Sequence, residues 1–308
     1  MICPTPPELA RPRALKPGGT LGVVAPASPF DRKSFYAGVQ VLESMGFCIV
    51  IPEEIYDKDG YLAGSDQNRA AQLNRLFADP EVDGIICARG GYGAMRILPL
   101  LDVGVVSSNP KVFVGFSDIT ALLFFLVEKC LMVSFHGPTV ATLGKGDPAT
   151  RERFYSVLTD PSPLALSTDT NNVITPGRAT GRFFCANLTI LCHLIGTSFL
   201  PDLHGQVLLI EDRGEAPYRI DRMLTHMLLA GCFDGLAGLA LGTFANCGSS
   251  DMIHRIVADR VGEMGFPVQA GFNVGHGDVN LTLPVGLPAK LDTDTGTLTF
   301  INAAVLPI

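Results

Sequence analysis

In the run KVFVGFSDITALLFFLVEK a single serine, Ser117, stands at the joint between two apolar segments. The first reads as a buried strand and the second as a helix, which puts the hydroxyl on a sharp strand-to-helix turn. Such a turn presents a nucleophile, and the next backbone N–H, that of Asp118, points at the place where an oxyanion would form. The local pattern is G-F-S-D rather than G-x-S-x-G. Serine is also a preferred helix N-cap, with Asp118 complementing the helix dipole, so from this turn alone capping and catalysis both stand.

A serine nucleophile needs a base, and imidazole suits neutral pH. His276 lies between Gly275 and Gly277 after a strand-like run, where the glycines give a substrate access. His136, in SFHGP, is the rival; His193 and His226 fall in apolar helical patterns and read as core or boundary residues, while His204 and His254 read as exposed. The acid that would orient the imidazole is best sought at Glu211, at the end of the apolar strand in VLLIEDRGEAPYRIDR. Asp212 and Glu215 are alternatives, and the whole cluster also reads as a solvated loop pairing with Arg213, Arg219 and Arg222. A third unusual loop, CARGGYGAMR, places Gly90, Gly91 and Gly93 after a strand. Without Cβ atoms its N–H groups can converge on an oxygen or an anion, though a plain tight turn has the same composition. Neither Rossmann spacing nor a Walker lysine is present.

These loops need strands to hold them. Short β-branched runs at 21–25, 48–52, 84–88, 112–116 and 132–135 alternate with helical segments, as in a parallel sheet with crossover helices. One segment sets Phe35, Val39, Leu42 and Met45 on a helical face, and another starts at Ser65, an N-cap. From about 144 to 180 the chain turns to Thr, Asp, Asn, Pro and Ser without a sustained period, which marks a junction. We therefore expect an N-terminal domain over 1–150, a linker over 151–180 and a C-terminal domain over 181–308. The latter alternates helices and strands before ending in LTLPVGLPAKLDTDTGTLTFIN, read as strand, turn at 294–296 and strand.

Of the 308 residues, 47% are apolar and 17% charged, a globular balance for one large or two ordinary domains. The net charge of −7 is scattered, without the basic footprint of a nucleic-acid binder. ALLFFLV is far shorter than the roughly 20 residues of a membrane span. The amino-terminal stretch carries prolines and charges where a secretory signal has an apolar core, so a cytoplasmic protein is expected. Eight cysteines show no C-x-x-C spacing, which indicates neither zinc nor a disulfide framework.

Four ordered blocks, ICARGGYGAMRIL, VGFSDITAL, LLIEDRGEAPYRIDRML and VGHGDVNLTLPVGLPAKLD, together resemble the LD-carboxypeptidases, cytoplasmic serine peptidases of murein recycling, and the related microcin C self-immunity hydrolases. The resemblance implies an α/β fold: an N-terminal flavodoxin-like parallel-sheet sandwich carrying Ser117, and a C-terminal β-rich α/β domain carrying Glu211 and His276. It implies Ser117 as nucleophile, Glu211 as acid, His276 as base, and an oxyanion hole from the Gly91 and Asp118 amides. Gly90, Tyr92, Arg89 and Arg222 become candidate substrate contacts, the arginines because a carboxypeptidase must bind a free carboxylate. No cofactor or metal is implied; a small peptide substrate and a homodimer are. FFCANLTIL departs from the family's G-G-N-L block, and no tryptophan is present for aromatic stacking. Release of terminal D-alanine from murein tetrapeptides is the expected activity, with peptidyl or aminoacyl adenylate hydrolysis, or non-catalytic small-molecule binding, as alternatives.

Overall fold

A computed structural model describes residues 8–308; Cys3 and the start of the amino-terminal stretch lie outside them. The first half supplies strands Thr20–Val24 (β1), Cys48–Val50 (β2), Gly84–Cys87 (β3), Val112–Gly115 (β4) and Ser134–His136 (β5). The rest supplies Ala165–Ser167 (β6), Val173–Thr175 (β7), Arg178–Asn187 (β8), Val207–Arg213 (β9), Gly238–Ala245 (β10) and Val268–Gln269 (β11). Leu283–Val285 (β12), Pro288–Asp292 (β13) and Thr297–Phe300 (β14) complete the set.

β1 to β5 pair in parallel in the order β2-β1-β3-β4-β5, the flavodoxin-like arrangement. β3 and β4 are buried at every residue, which is why they read as unbroken apolar runs. The helices form where the pattern places them. Arg32–Ser44 starts at Asp31, whose carboxylate accepts the Ser34 N–H at 2.8 Å, and buries Phe35, Val39 and Leu42. Asp66–Ala78 starts at Ser65, whose hydroxyl accepts the Asn68 N–H at 3.1 Å.

The other sheet is mixed, in the order β6-β14-β13-β8-β9-β10-β11-β7, with β8 to β11 parallel and both flanks antiparallel. Between the sheets lies the helix Thr120–Glu128, buried from Thr120 to Val127. A helix apolar on all sides has to be covered on all sides. Here Phe124 meets Phe184 of β8 edge-on at 5.3 Å, and the Asn187 N–H donates to Thr120 Oγ1 at 3.0 Å.

Two sequence expectations change. LTLPVGLPAKLD is not one strand: β12 joins the first sheet antiparallel to β5, and β13 joins the second. The break falls at Gly286, at φ 102°, where a Cβ would lie 2.5 Å from Leu9. The segment 151–180 is not structureless either, since it contains most of the helix Pro148–Thr159 and the edge strands β6 and β7. Edge strands are short and half exposed, so they show no clean alternation. Among the described residues no helix is long and apolar enough to cross a membrane.

Candidate active site

β4 delivers Ser117 into a tight turn. Phe116 is extended, Ser117 has φ 66°, and a 3-10 turn, Ser117–Ile119, leads into the helix at Thr120. A left-handed serine costs on the order of 1–3 kcal/mol, a strain that accumulates at functional sites. Gly115 makes the turn fit, because a Cβ there would lie 2.6 Å from Ile119 Cγ2. The hydroxyl does not cap the helix: the capping position is Ile119, and Ser117 Oγ lies 3.2 Å from His276 Nε2.

β9 delivers Glu211. In the neighbouring β10 the register shifts between Leu241 and Phe244, a bulge opposite Glu211. Gly242 sits in that bulge, where a Cβ would come within 3.1 Å of the Glu211 Cβ. The chain from β11 then passes close by: Gly275, at φ 108°, leaves no room for a Cβ, which would meet Glu211 Oε2 at 2.3 Å. Glu211 Oε2 accepts both the His276 backbone N–H, at 3.1 Å, and an imidazole bond from Nδ1, at 2.7 Å. The second bond leaves Nε2 facing Ser117 as the acceptor. Asn187 Nδ2 donates to the other Glu211 oxygen at 3.3 Å, and Asn280 Oδ1 accepts the Gly275 N–H at 2.8 Å.

Glu211 is fully buried, and burial holds its carboxyl above the usual range, a rise that the hydrogen bond and charge of His276 only partly offset. Asp212 accepts the Thr189 N–H and hydroxyl at 2.9 and 2.8 Å and shares the Asn187 Nδ2 donor with Glu211, at 3.1 Å. Glu215 pairs with Arg219 at 3.3 Å. Glu211 alone of the three acids thus reaches the imidazole. His136 is fully buried behind Phe116, and burial pushes its pKa down to about 3, which makes it a neutral core residue. His193 and His226 are exposed instead of packed, because each lies on the outer side of its helix.

The glycine loop leans on the serine: a Cβ on Gly90 would sit 3.0 Å from Ser117 Cβ. Gly91 has φ 109°, and a Cβ there would collide with Ser28 Oγ at 2.5 Å. Ser28 Oγ in turn accepts the Tyr92 N–H at 3.1 Å. Beneath the loop, Asp118 accepts the Ala94 N–H at 2.8 Å, its pKa raised to about 6 by burial. The buried Arg69 donates to Gly93 O at 2.9 Å and also bonds Pro26 O and Asp66. The backbone N–H groups of Gly91 and Asp118 have no acceptor among the described residues, so both are available to an oxyanion.

A cleft of about 910 Å³ runs up to His276 and Phe116, whose rings lie 4.8 Å apart. Arg89 lines it, with Nη1 donating to Pro29 O at 2.8 Å. Arg222 is not among the lining residues; its guanidinium lies 5.4 Å from the centre of the Tyr218 ring. Tyr92 is exposed and packs on Tyr61 at 5.5 Å. Arg213 lines the cleft, a position the sequence reading gave only to loop pairing. The supporting roles of Arg69, Asn187, Asn280 and the Asp118 carboxylate escape sequence reasoning, since nothing local distinguishes a buried bracing residue from a solvated one. Among the described residues no group of three or more His, Cys, Asp or Glu could hold a metal ion.

A hydroxyl, an imidazole and a buried carboxylate in hydrogen-bonded sequence, with two free amides beside the hydroxyl, form the arrangement of a serine hydrolase. The comparisons agree. Residues 21–137 match the LD-carboxypeptidase N-terminal domain and residues 180–291 the LD-carboxypeptidase C-terminal domain. A Streptomyces coelicolor relative, provisionally named a carboxypeptidase, is 40% identical over 304 residues, 97% of this chain and 98% of its own. The murein tetrapeptide carboxypeptidase of Pseudomonas aeruginosa is 30% identical over 289 residues, 89% of this chain and 93% of its own. Among solved structures, the microcin C7 self-immunity protein MccF in complex with aspartyl sulfamoyl adenosine superposes with a TM-score of 0.88 at 25% identity, covering 96% of this chain and 100% of that one. The chain belongs to the LD-carboxypeptidase family and is a serine carboxypeptidase.

Proposed function

We propose that this carboxypeptidase hydrolyses the L,D amide bond that releases terminal D-alanine from murein tetrapeptides, with Ser117, His276 and Glu211 as its catalytic triad. The observation that carries the reading is the unbroken relay of 3.2 and 2.7 Å from Ser117 through His276 to the buried Glu211. Ser117 Oγ attacks the carbonyl of the diamino acid while His276 Nε2 takes its proton, and Glu211 stabilises the imidazolium. The Gly91 and Asp118 amides bind the oxyanion, each contributing on the order of 3 kcal/mol. Collapse of the tetrahedral intermediate breaks the C–N bond, His276 protonates the departing amine, and D-alanine leaves an acyl-Ser117. Water then adds to the ester by the same route and restores the serine.

In this reading the enzyme works in the cytoplasm as a homodimer. Its two domains divide within 151–180, a division supported by family matches that end at 137 and resume at 180. A second reading keeps the triad and changes the substrate to an aminoacyl adenylate, motivated by the adenylate analogue bound to MccF. Product analysis on a panel of murein tetrapeptides and aminoacyl sulfamoyl adenylates separates the two. The first reading expects D-alanine from the tetrapeptides alone; exclusive turnover of the adenylate analogues would replace it with the second.

A further inference from the structure

We propose that Arg213 binds the free carboxylate of the departing amino acid and so makes the enzyme a carboxypeptidase rather than an internal amidase. The inference rests on the L,D-carboxypeptidase reading above. Residues i and i+2 of a strand share a face, so Arg213 belongs to the side of β9 that carries Glu211. At about 3.3 Å per residue, Arg213 stands roughly 7 Å beyond Glu211, toward the carboxyl end of the strand. There its side chain lines the same cleft as His276.

The charge of Arg213 is uncommitted. Its side chain has no hydrogen-bond acceptor among the described residues, and no carboxylate lies within ion-pair distance. The acids flanking it in sequence have other partners, Asp212 with Thr189, Asn187 and the Arg213 backbone N–H, Glu215 with Arg219 and Glu211 with His276, while Asp278 lines the cleft on the His276 loop. The other cations lining the cleft differ. Arg89 has Nη1 on Pro29 O and adjoins the glycine loop, on the oxyanion side. Lys145 lies near the Asp31 carboxylate.

Chemistry decides which side the leaving group occupies. His276 Nε2 must protonate the amine that departs, so that amine sits on the acid–base side of Ser117. Its α-carboxylate is one carbon further out, on the side from which Arg213 projects. A planar guanidinium binds a carboxylate through two parallel N–H bonds, which a lysine cannot reproduce.

The test compares a tetrapeptide ending in free D-alanine with the same peptide ending in D-alaninamide, using wild type, R213A, R213K and R89A. The wild type should prefer the acid peptide in kcat/KM by roughly 100-fold. R213A should lower kcat/KM for the acid peptide by about that factor, mainly through KM, and for the amide peptide by less than about threefold; R213K should keep a preference of roughly tenfold. Equal losses on both peptides, or an acid preference retained in R213A but abolished in R89A, would overturn the Arg213 role while leaving the carboxypeptidase reading intact. Failure of the wild type to cleave either peptide would overturn both.

Discussion

On the side of Ser117, the proposed nucleophile, main chain does most of the positioning: Ser117 sits at φ 66°, Gly91 at φ 109°, and a Cβ on Gly90 would touch the serine. Across the cleft, the side of the proposed base and acid depends on side-chain hydrogen bonds, Glu211 on the His276 N–H and Nδ1, Asn187 on Glu211, and Asn280 on the Gly275 N–H. The difference follows from what each side must present. Backbone amides aimed at an oxyanion require a fixed main chain, while a proton relay requires a ring held in one tautomer. Damage to the first should therefore come from adding atoms, and damage to the second from removing them.

The relay itself should give the largest effects. Ser117→Ala and His276→Ala should each lower kcat by roughly 10⁴–10⁶-fold, and Glu211→Ala somewhat less, measured as D-alanine release. Adding one methyl on the other side, Gly91→Ala, should cost roughly 10²–10³-fold in kcat, because the loop must move away from Ser28 and the amide with it. KM should change little. If Gly91→Ala keeps wild-type kcat, backbone positioning is not what builds that side. Removing the braces, Asn187→Ala or Asn280→Ala, should cost on the order of 10-fold, since each leaves the direct Glu211–His276 bond in place.

Asp118 tests the comparison through stability. Its pKa of about 6 in the fold lies above its ordinary value of 3.8, so burial favours the neutral form. That contribution is fully present below about pH 4 and is lost as pH rises through 6. Asp118→Asn is immune to this titration, so denaturant unfolding should show the wild type losing stability relative to the variant by on the order of 2 kcal/mol between pH 4 and 7. A constant difference would mean that the carboxyl titrates normally.

The parallel sheet was legible because fully buried strands such as β3 and β4 are continuous apolar runs between helices of clear period. β12 was not: its three residues share an apolar stretch with β13, and only the crowding of Gly286 against Leu9 separates them. Ser117, Glu211 and His276 could be singled out by residue type and by their places at strand ends. Their approach could not, since it depends on a bulge in β10 and on glycines at 242 and 275 whose missing Cβ atoms have meaning only against a neighbour. Arg213 shows the same limit. Beside Asp212 and Glu215 in sequence it reads as a surface ion pair, and only the alternation of β9 turns it into the cleft.

The serine mechanism is tested most directly by D-alanine release from a murein tetrapeptide by wild type and Ser117→Ala, with intact mass recorded after exposure to a serine-reactive fluorophosphonate. A Ser117 nucleophile predicts turnover and one adduct, mapped to Ser117, in the wild type, and neither in the variant. Undiminished D-alanine release by Ser117→Ala would contradict it.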